Sequence, residues 1–217
     1  MYQRMLKSGV LICSTQDKHA AALEELQTIC FPTTAAEHLI RAKHYLHHIQ
    51  MFPQGQFVAL DGRRVVGMSS TIRVNFDFDQ PLHTYDDLFQ EGWMTAHDPA
   101  GEWLYGMDMG VHPDYRGKGI AKALYKARMD NIVRPCNMKG MLLGGMLRGY
   151  GVFKEQMSAE EYYARVLRKE LGDPTISAQM SVGFEPICLL PNYIHATACD
   201  NWGVLMKMEG IRDIQAD

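Results

Sequence analysis

No stretch of this chain approaches the ~18 consecutive apolar residues that a membrane-spanning helix requires, so a membrane protein is not expected. Cysteine is scarce and poorly placed for structural chemistry. The five residues Cys13, Cys30, Cys136, Cys188 and Cys199 are odd in number and contain no Cys-x-x-Cys, which argues against a disulfide framework and a zinc knuckle and in favour of reduced, mostly buried thiols. There is no block of basic residues, and the formal net charge is -3, so nucleic acid is not an expected partner. Two phosphate signatures are missing as well: no Gly-x-x-x-x-Gly-Lys-Ser/Thr loop exists, and Gly117-Lys118-Gly119 is not followed by the third glycine of a dinucleotide fingerprint. Residues 1–10 carry Arg4 and Lys7 but lead into only a short apolar stretch at 10–13, so no secretory leader is expected and the cytoplasm is the expected compartment.

What is present suits one mixed α/β domain over residues 1–217, with 47% apolar and 22% charged residues. Residues 10–13 read as a first strand, and 17–30 as a helix with Ala20, Leu23, Leu26 and Ile29 on one face. Thr34-Ala-Ala-Glu37 matches a capping box that would open a second helix running to about residue 50. Residues 57–60 and 63–74, joined at Asp61-Gly62, form a hairpin. Residues 75–101 lack periodicity and form a long connection, with one helical turn at 85–89. A strand follows at 103–111, in which the interior glycines Gly106 and Gly110 point to a bulge or to close approach by a ligand. Then come a helix over 117–131, a strand over 138–147, a capped helix from Ser158 to about Gly172, a short helix opened by Asp173-Pro174, and strands over 184–190 and 203–208.

The chemistry concentrates where the 103–111 strand turns into a helix through His112-Pro-Asp-Tyr115 and Arg116-Gly-Lys-Gly-Ile-Ala121. A helix start exposes about four unpaired amides and the positive end of its dipole, and glycines let an anion approach them. Arg116 and Lys118 add charge at the rim. Arg-x-x-Gly-x-Ala at a strand-to-helix junction resembles the pyrophosphate motif of the GNAT acetyltransferases. The likeness is strongest to the GNAT domain that precedes a carbon-nitrogen hydrolase (nitrilase-like) domain in some bacterial proteins. It is carried by Phe52-Pro-Gln-Gly-Gln56, Leu104-Tyr-Gly106, Val111 to Gly117, Met157-Ser-Ala-Glu-Glu-Tyr162, Asp173-Pro-Thr175, Gly183-Phe184 and Leu190-Pro-Asn-Tyr193. No hydrolase domain follows Asp217, which implies a stand-alone version.

The resemblance implies a mostly antiparallel mixed sheet flanked by helices, with a splayed central strand pair. It implies an acyl-CoA-dependent N-acetyltransferase that uses acetyl-CoA as co-substrate and no metal, on a small-molecule or peptidyl amine. Amides from Arg116, Gly117, Lys118, Gly119, Ile120 and Ala121 would hold the pyrophosphate, and the backbone of Met109 and Val111 the pantetheine arm. Two departures from the family pattern follow. The tyrosine that many members carry four residues before Gly-Phe is Gln179 here, which can hydrogen-bond the arm or sulfur but is no acid. Tyr150 and Tyr193 are the candidates to replace it. The strand positions that often carry a base are Met107 and Tyr105, with Asp108 beside them on the opposite face unless a bulge reverses it. If acid and base are both lost, the domain is instead an inactive acyl-CoA-binding or sensing module.

Other features have plainer readings. His44, His47 and His48 lie on one helix without a third ligand pattern, which favours a solvated or substrate-side face over metal, and the strand methionines suit flexible core packing or else a Met-lined acceptor pocket. The acidic residues Asp77, Asp79, Asp86, Asp87 and Glu91 suit a solvated loop or, in a long lid beside the active site, a means of attracting a cationic amine. Residues 75–101 and 148–172 are expected to wall the acceptor pocket with Tyr150 at its mouth, or else to form the surface of a homodimer.

Overall fold

The computed structural model describes residues 1–216. Eight strands form one sheet: β1 (Gln3–Met5), β2 (Leu11–Ser14), β3 (Phe57–Asp61), β4 (Arg64–Val74), β5 (Trp103–Val111), β6 (Gly140–Met146), β7 (Glu185–Leu190) and β8 (Gly203–Glu209). The helices are α1 (Ala20–Cys30), α2 (Ala42–Met51), α3 (Tyr85–Phe89), α4 (Ile120–Arg128), α5 (Ala159–Leu167) and α6 (Ile176–Val182). Across the sheet the order is β1-β2-β3-β4-β5-β6-β8-β7, antiparallel everywhere except between β5 and β6. β1 goes beyond the sequence expectation, since three residues are too few to show a period. Pro186 sits in β7, an edge strand, where its missing amide costs no ladder bond.

The expected capping box at Thr34 does not open a helix. Thr34 instead forms an isolated bridge with Ala196, and residues 36–38 make only a single tight turn. α2 starts at Ala42, where the His44 ring accepts the Arg41 amide at 3.1 Å. A tertiary strand contact has overridden a local helix signal. The other box holds: Ser158 accepts the Glu161 amide at 3.2 Å and starts α5. Asp173 accepts the amides of Thr175 and Ile176 at 2.8 and 2.9 Å and so organises the start of α6.

β4 is buried along nearly its whole length because helices cover both faces of the sheet. A Cβ placed on Gly110 would meet Cys30 of α1, whereas one on Gly67, the partner of the adjacent Val111, would meet Ile120 of α4. Neighbouring strand residues face opposite ways, so α1 and α4 lie on opposite faces. α6 shares the α4 face, with Tyr125 of α4 packing 5.1 Å from Phe184, two residues past the end of α6.

Two irregularities in β5 shape the site. The β4–β5 register shifts between Ser70 and Thr71, which pair with Asp108 and Gly106, leaving Met107 as an extra residue. That bulge turns Asp108 onto the α1 face, the reversal that the flanking glycine foreshadows. On its other side, β5 pairs with β6 only from Trp103–Gly140 to Gly106–Leu143, although both strands continue. Beyond Gly106 they part.

Candidate active site

The slot opened by that parting belongs to a cavity of about 660 Å³. Its outer end is the turn between β5 and α4. Gly117 and Gly119 both adopt positive φ, +75° and +78°, values that an L side chain takes only with strain. Among the described residues, the amides of Gly117, Lys118, Gly119, Ile120 and Ala121 donate to no protein acceptor. They stand at the positive end of α4, and a Cβ on Gly117 would meet nothing within 4 Å. Open space before unspent amides fits a phosphate group. Arg116, Gly117, Gly119, Ile120 and Ala121 all line the cavity, whereas Lys118 does not: its ammonium lies 4.4 Å over the Tyr115 ring.

Further in, His112 donates to Val66 of β4, so by alternation the main-chain groups of Val111 and Met109 face the slot. The Val111 carbonyl accepts from the Arg116 guanidinium at 3.3 Å rather than from a strand. No strand occupies these ladder positions, to which an extended amide chain can add. Across the slot, Gly145 lets the side chain of Gln179 approach, and the Oε1 of Gln179 is buried without a partner. Such an acceptor is costly unless a ligand donor reaches it.

On the α1 face stands Asp108. Its Oδ1 accepts the Ser70 amide at 2.8 Å, and its Oδ2 accepts from Gln27 at 2.5 Å and from the Tyr45 hydroxyl at 3.1 Å. Burial raises its pKa, while the Arg128 charge and the hydrogen bonds from Ser70 and Tyr45 pull the other way and lose. A carboxyl so tuned in a cavity wall suits proton transfer. Cys30 also lines the cavity, but burial pushes its thiol to about 11, which keeps it protonated at neutral pH.

The tyrosines divide. Tyr150 is not at the pocket mouth: its hydroxyl donates to the Met157 carbonyl at 3.3 Å, its ring packs 5.7 Å from Tyr162, and it is not among the lining residues. Tyr193 does line the cavity, its hydroxyl 2.2 Å from where a Gly144 Cβ would stand. Of the two long insertions, only Tyr85 from the first and Arg148 from the second reach the wall. That part of the wall is built instead by the loop after α1, with Phe31, Thr34 and His38, and by Tyr193 and Ile194. His38 is held by Asp86 at 3.1 Å, so one residue of the acidic run braces the wall from outside the cavity.

Sequence reasoning passed over two lining residues that carried a signal. Arg128 lies eight positions after Ile120 and four after Leu124, and Gln27 lies four after Leu23 and three before Cys30. Both are polar side chains on an otherwise apolar helical stripe, buried to 2% and 3% exposure. The histidines of α2 have structural partners: His48 bonds the Gly92 carbonyl at 2.6 Å and His44 packs 4.4 Å from Trp93. Among the described residues no group of three His, Cys, Asp or Glu is placed to hold a metal ion, and no helix is long and apolar enough to cross a membrane.

Comparison with known proteins agrees with this architecture. The chain is 33% identical over 203 residues to the probable hydrolase YhcX of Bacillus subtilis, a match that covers 93% of this chain but only 39% of that protein. It is 32% identical over 190 residues to the uncharacterized N-acetyltransferase YkwB of the same organism, covering 87% of this chain and 84% of the relative. Among solved structures, the GphF GNAT-like decarboxylase in complex with isobutyryl-CoA superposes with a TM-score of 0.75 at 18% identity, over 93% of this chain and 99% of that one, a likeness of fold. Residues 20–165 match the Acetyltransferase (GNAT) family, and the chain belongs to the GNAT acetyltransferases.

Proposed function

We propose that this chain is a cytoplasmic N-acyltransferase that moves an acetyl or other short acyl group from coenzyme A to a small-molecule or peptidyl amine by direct transfer. The observation that carries this reading is the continuity of one cavity from the unspent amides of residues 117–121 to the carboxyl of Asp108. The pyrophosphate binds at Gly117 to Ala121 with Arg116 at its rim. The pantetheine arm adds to β5 at Met109 and Val111 and gives an amide hydrogen to Gln179 Oε1. Asp108 accepts a proton from the amine as it attacks the thioester carbonyl, and a main-chain amide between Met109 and Val111 stabilises the oxyanion. Burial raises the Tyr193 phenol above its ordinary range, so Tyr193 serves as a hydrogen-bond donor to the departing sulfur rather than as a full acid. Five free cysteines in the fold accord with a reducing compartment.

A second reading, an acyl-CoA-binding module without catalysis, draws support from Asp108 itself, whose oxygens already accept three hydrogen bonds. Isothermal titration with coenzyme A tests what both readings share. Saturable one-to-one binding is expected, and no heat and no change in Tm at millimolar coenzyme would remove both.

A further inference from the structure

Arg128 is an unusual buried cation. It is 2% exposed, yet among the described residues no carboxylate lies within ion-pair distance of it. Its Nε donates to the Ser69 hydroxyl at 2.7 Å, and its Nη2 donates to the main-chain carbonyls of Asp108 and Ser70 at 2.7 and 3.2 Å. The guanidinium lies 5.4 Å from the Tyr125 ring. Nη1 makes no hydrogen bond, and it is not among the buried atoms cut off from space, so it opens onto the cavity that Arg128 lines.

Its position is as informative as its missing partner. A Cβ on Gly106 would stand 2.7 Å from Nη1 and 3.4 Å from the Leu143 Cβ, and Gly106–Leu143 is the last rung before β5 and β6 part. Nη1 therefore sits at the blind end of the slot. The phosphate turn opens the other end, one helix away, since the eight-residue step from Ile120 to Arg128 spans about 12 Å. A thioester threaded from that turn presents its acyl tail to Arg128. A buried guanidinium with spare donors is compensated best by a carboxylate, which takes paired hydrogen bonds from it.

We propose that Arg128 is a specificity residue for the acyl group, and that the preferred donor is the coenzyme A monothioester of a short dicarboxylic acid, whose distal carboxylate bonds Nη1. The assignment rests on the coenzyme reading above and narrows it from acyl groups in general to anionic ones. The remaining charged groups on the wall are consistent with it. Asp108 turns its carboxyl to the opposite face and offers Arg128 only its carbonyl, while Arg116, Lys122 and Arg148 are cations.

The test is titration calorimetry of the intact protein with coenzyme A, acetyl-CoA, butyryl-CoA, malonyl-CoA and succinyl-CoA, repeated with Arg128→Gln. At least about tenfold tighter binding of malonyl- or succinyl-CoA than of butyryl-CoA is expected, with the difference lost in the variant while coenzyme A affinity is kept. Equal affinity of the unmodified protein for neutral and anionic acyl groups would overturn the inference and leave the coenzyme site standing. Failure of every ligand, coenzyme A included, would overturn the coenzyme reading itself. If Arg128→Gln does not fold, the comparison of thioesters on the unmodified protein decides alone.

Discussion

The carboxyl of Asp108 accepts the main-chain amide of Ser70, its own cross-strand partner, at 2.8 Å. The bulge at Met107 breaks the ladder at this point, and one oxygen of Asp108 satisfies the amide beside it. The other oxygen accepts from Gln27, which lines the cavity, and from the core residue Tyr45, which does not. One side chain thus stabilises an irregular strand and lines the cavity in which we propose that an amine gives up its proton.

Asp108→Asn is expected to lower kcat by about a hundredfold or more, the ordinary worth of a general base. The fold should survive, because Gln27 can turn its amide to accept and the Tyr45 hydroxyl also reaches the Met68 sulfur at 3.3 Å. In the unmodified protein the acid limb of the pH–rate profile should fall above the usual carboxylate range, since burial raises this pKa. The stability sign is the reverse of a salt-bridged carboxylate. The folded state holds the proton more tightly than the unfolded chain, so this group's contribution to stability declines as pH rises from the unfolded value near 4 through the raised folded one. An acid limb at or below ordinary carboxylate pKa values would remove Asp108 as the base.

Gly117→Glu should abolish coenzyme A binding while leaving a folded protein. The new side chain enters space that is empty of protein and brings a negative charge to the amides. The positive φ of +75° costs it roughly 1 kcal/mol of strain, which a domain of this size tolerates. Circular dichroism and calorimetry on the same sample check both halves. Retained affinity in a folded variant would move the phosphate site elsewhere.

Tyr150→Phe and Tyr193→Phe should separate cleanly. The first loses one hydrogen bond to the Met157 carbonyl, about 0.5–1.5 kcal/mol of stability, with kcat within about twofold of the unmodified enzyme. The second removes the hydroxyl of a ring that lines the cavity and should lower kcat with less effect on KM. The opposite order of effects would return Tyr150 to the chemistry.

Much of this was legible along the chain because local rules and the fold agree. The β3–β4 hairpin, the β5 bounds, the single turn at residues 85–89 and the glycine turn before α4 all carry their own turn or glycine signals. The far wall of the cavity was not legible. It comes from the loop after α1, Tyr85 and Tyr193, segments far apart in sequence, and the bridge between Thr34 and Ala196 that assembles it overrides a good capping box. Tyr150 misled for a related reason: its place just after β6 suggested the slot, but the chain turns at Gly149, whose amide is held by Asp173 at 2.8 Å, and the ring is buried against α5.

In the proposed reaction, acyl-CoA in the slot is attacked by an amine presented to Asp108. Its most direct test is the rate of free-thiol release from acetyl-, malonyl- and succinyl-CoA across a panel of small amines and peptide N-termini, each measured against hydrolysis without amine. Amine-dependent release is predicted, absent in Gly117→Glu and lowered about a hundredfold or more in Asp108→Asn. Tight coenzyme binding with release no faster than hydrolysis for every amine, and no effect of Asp108→Asn, would contradict it and leave a binding module.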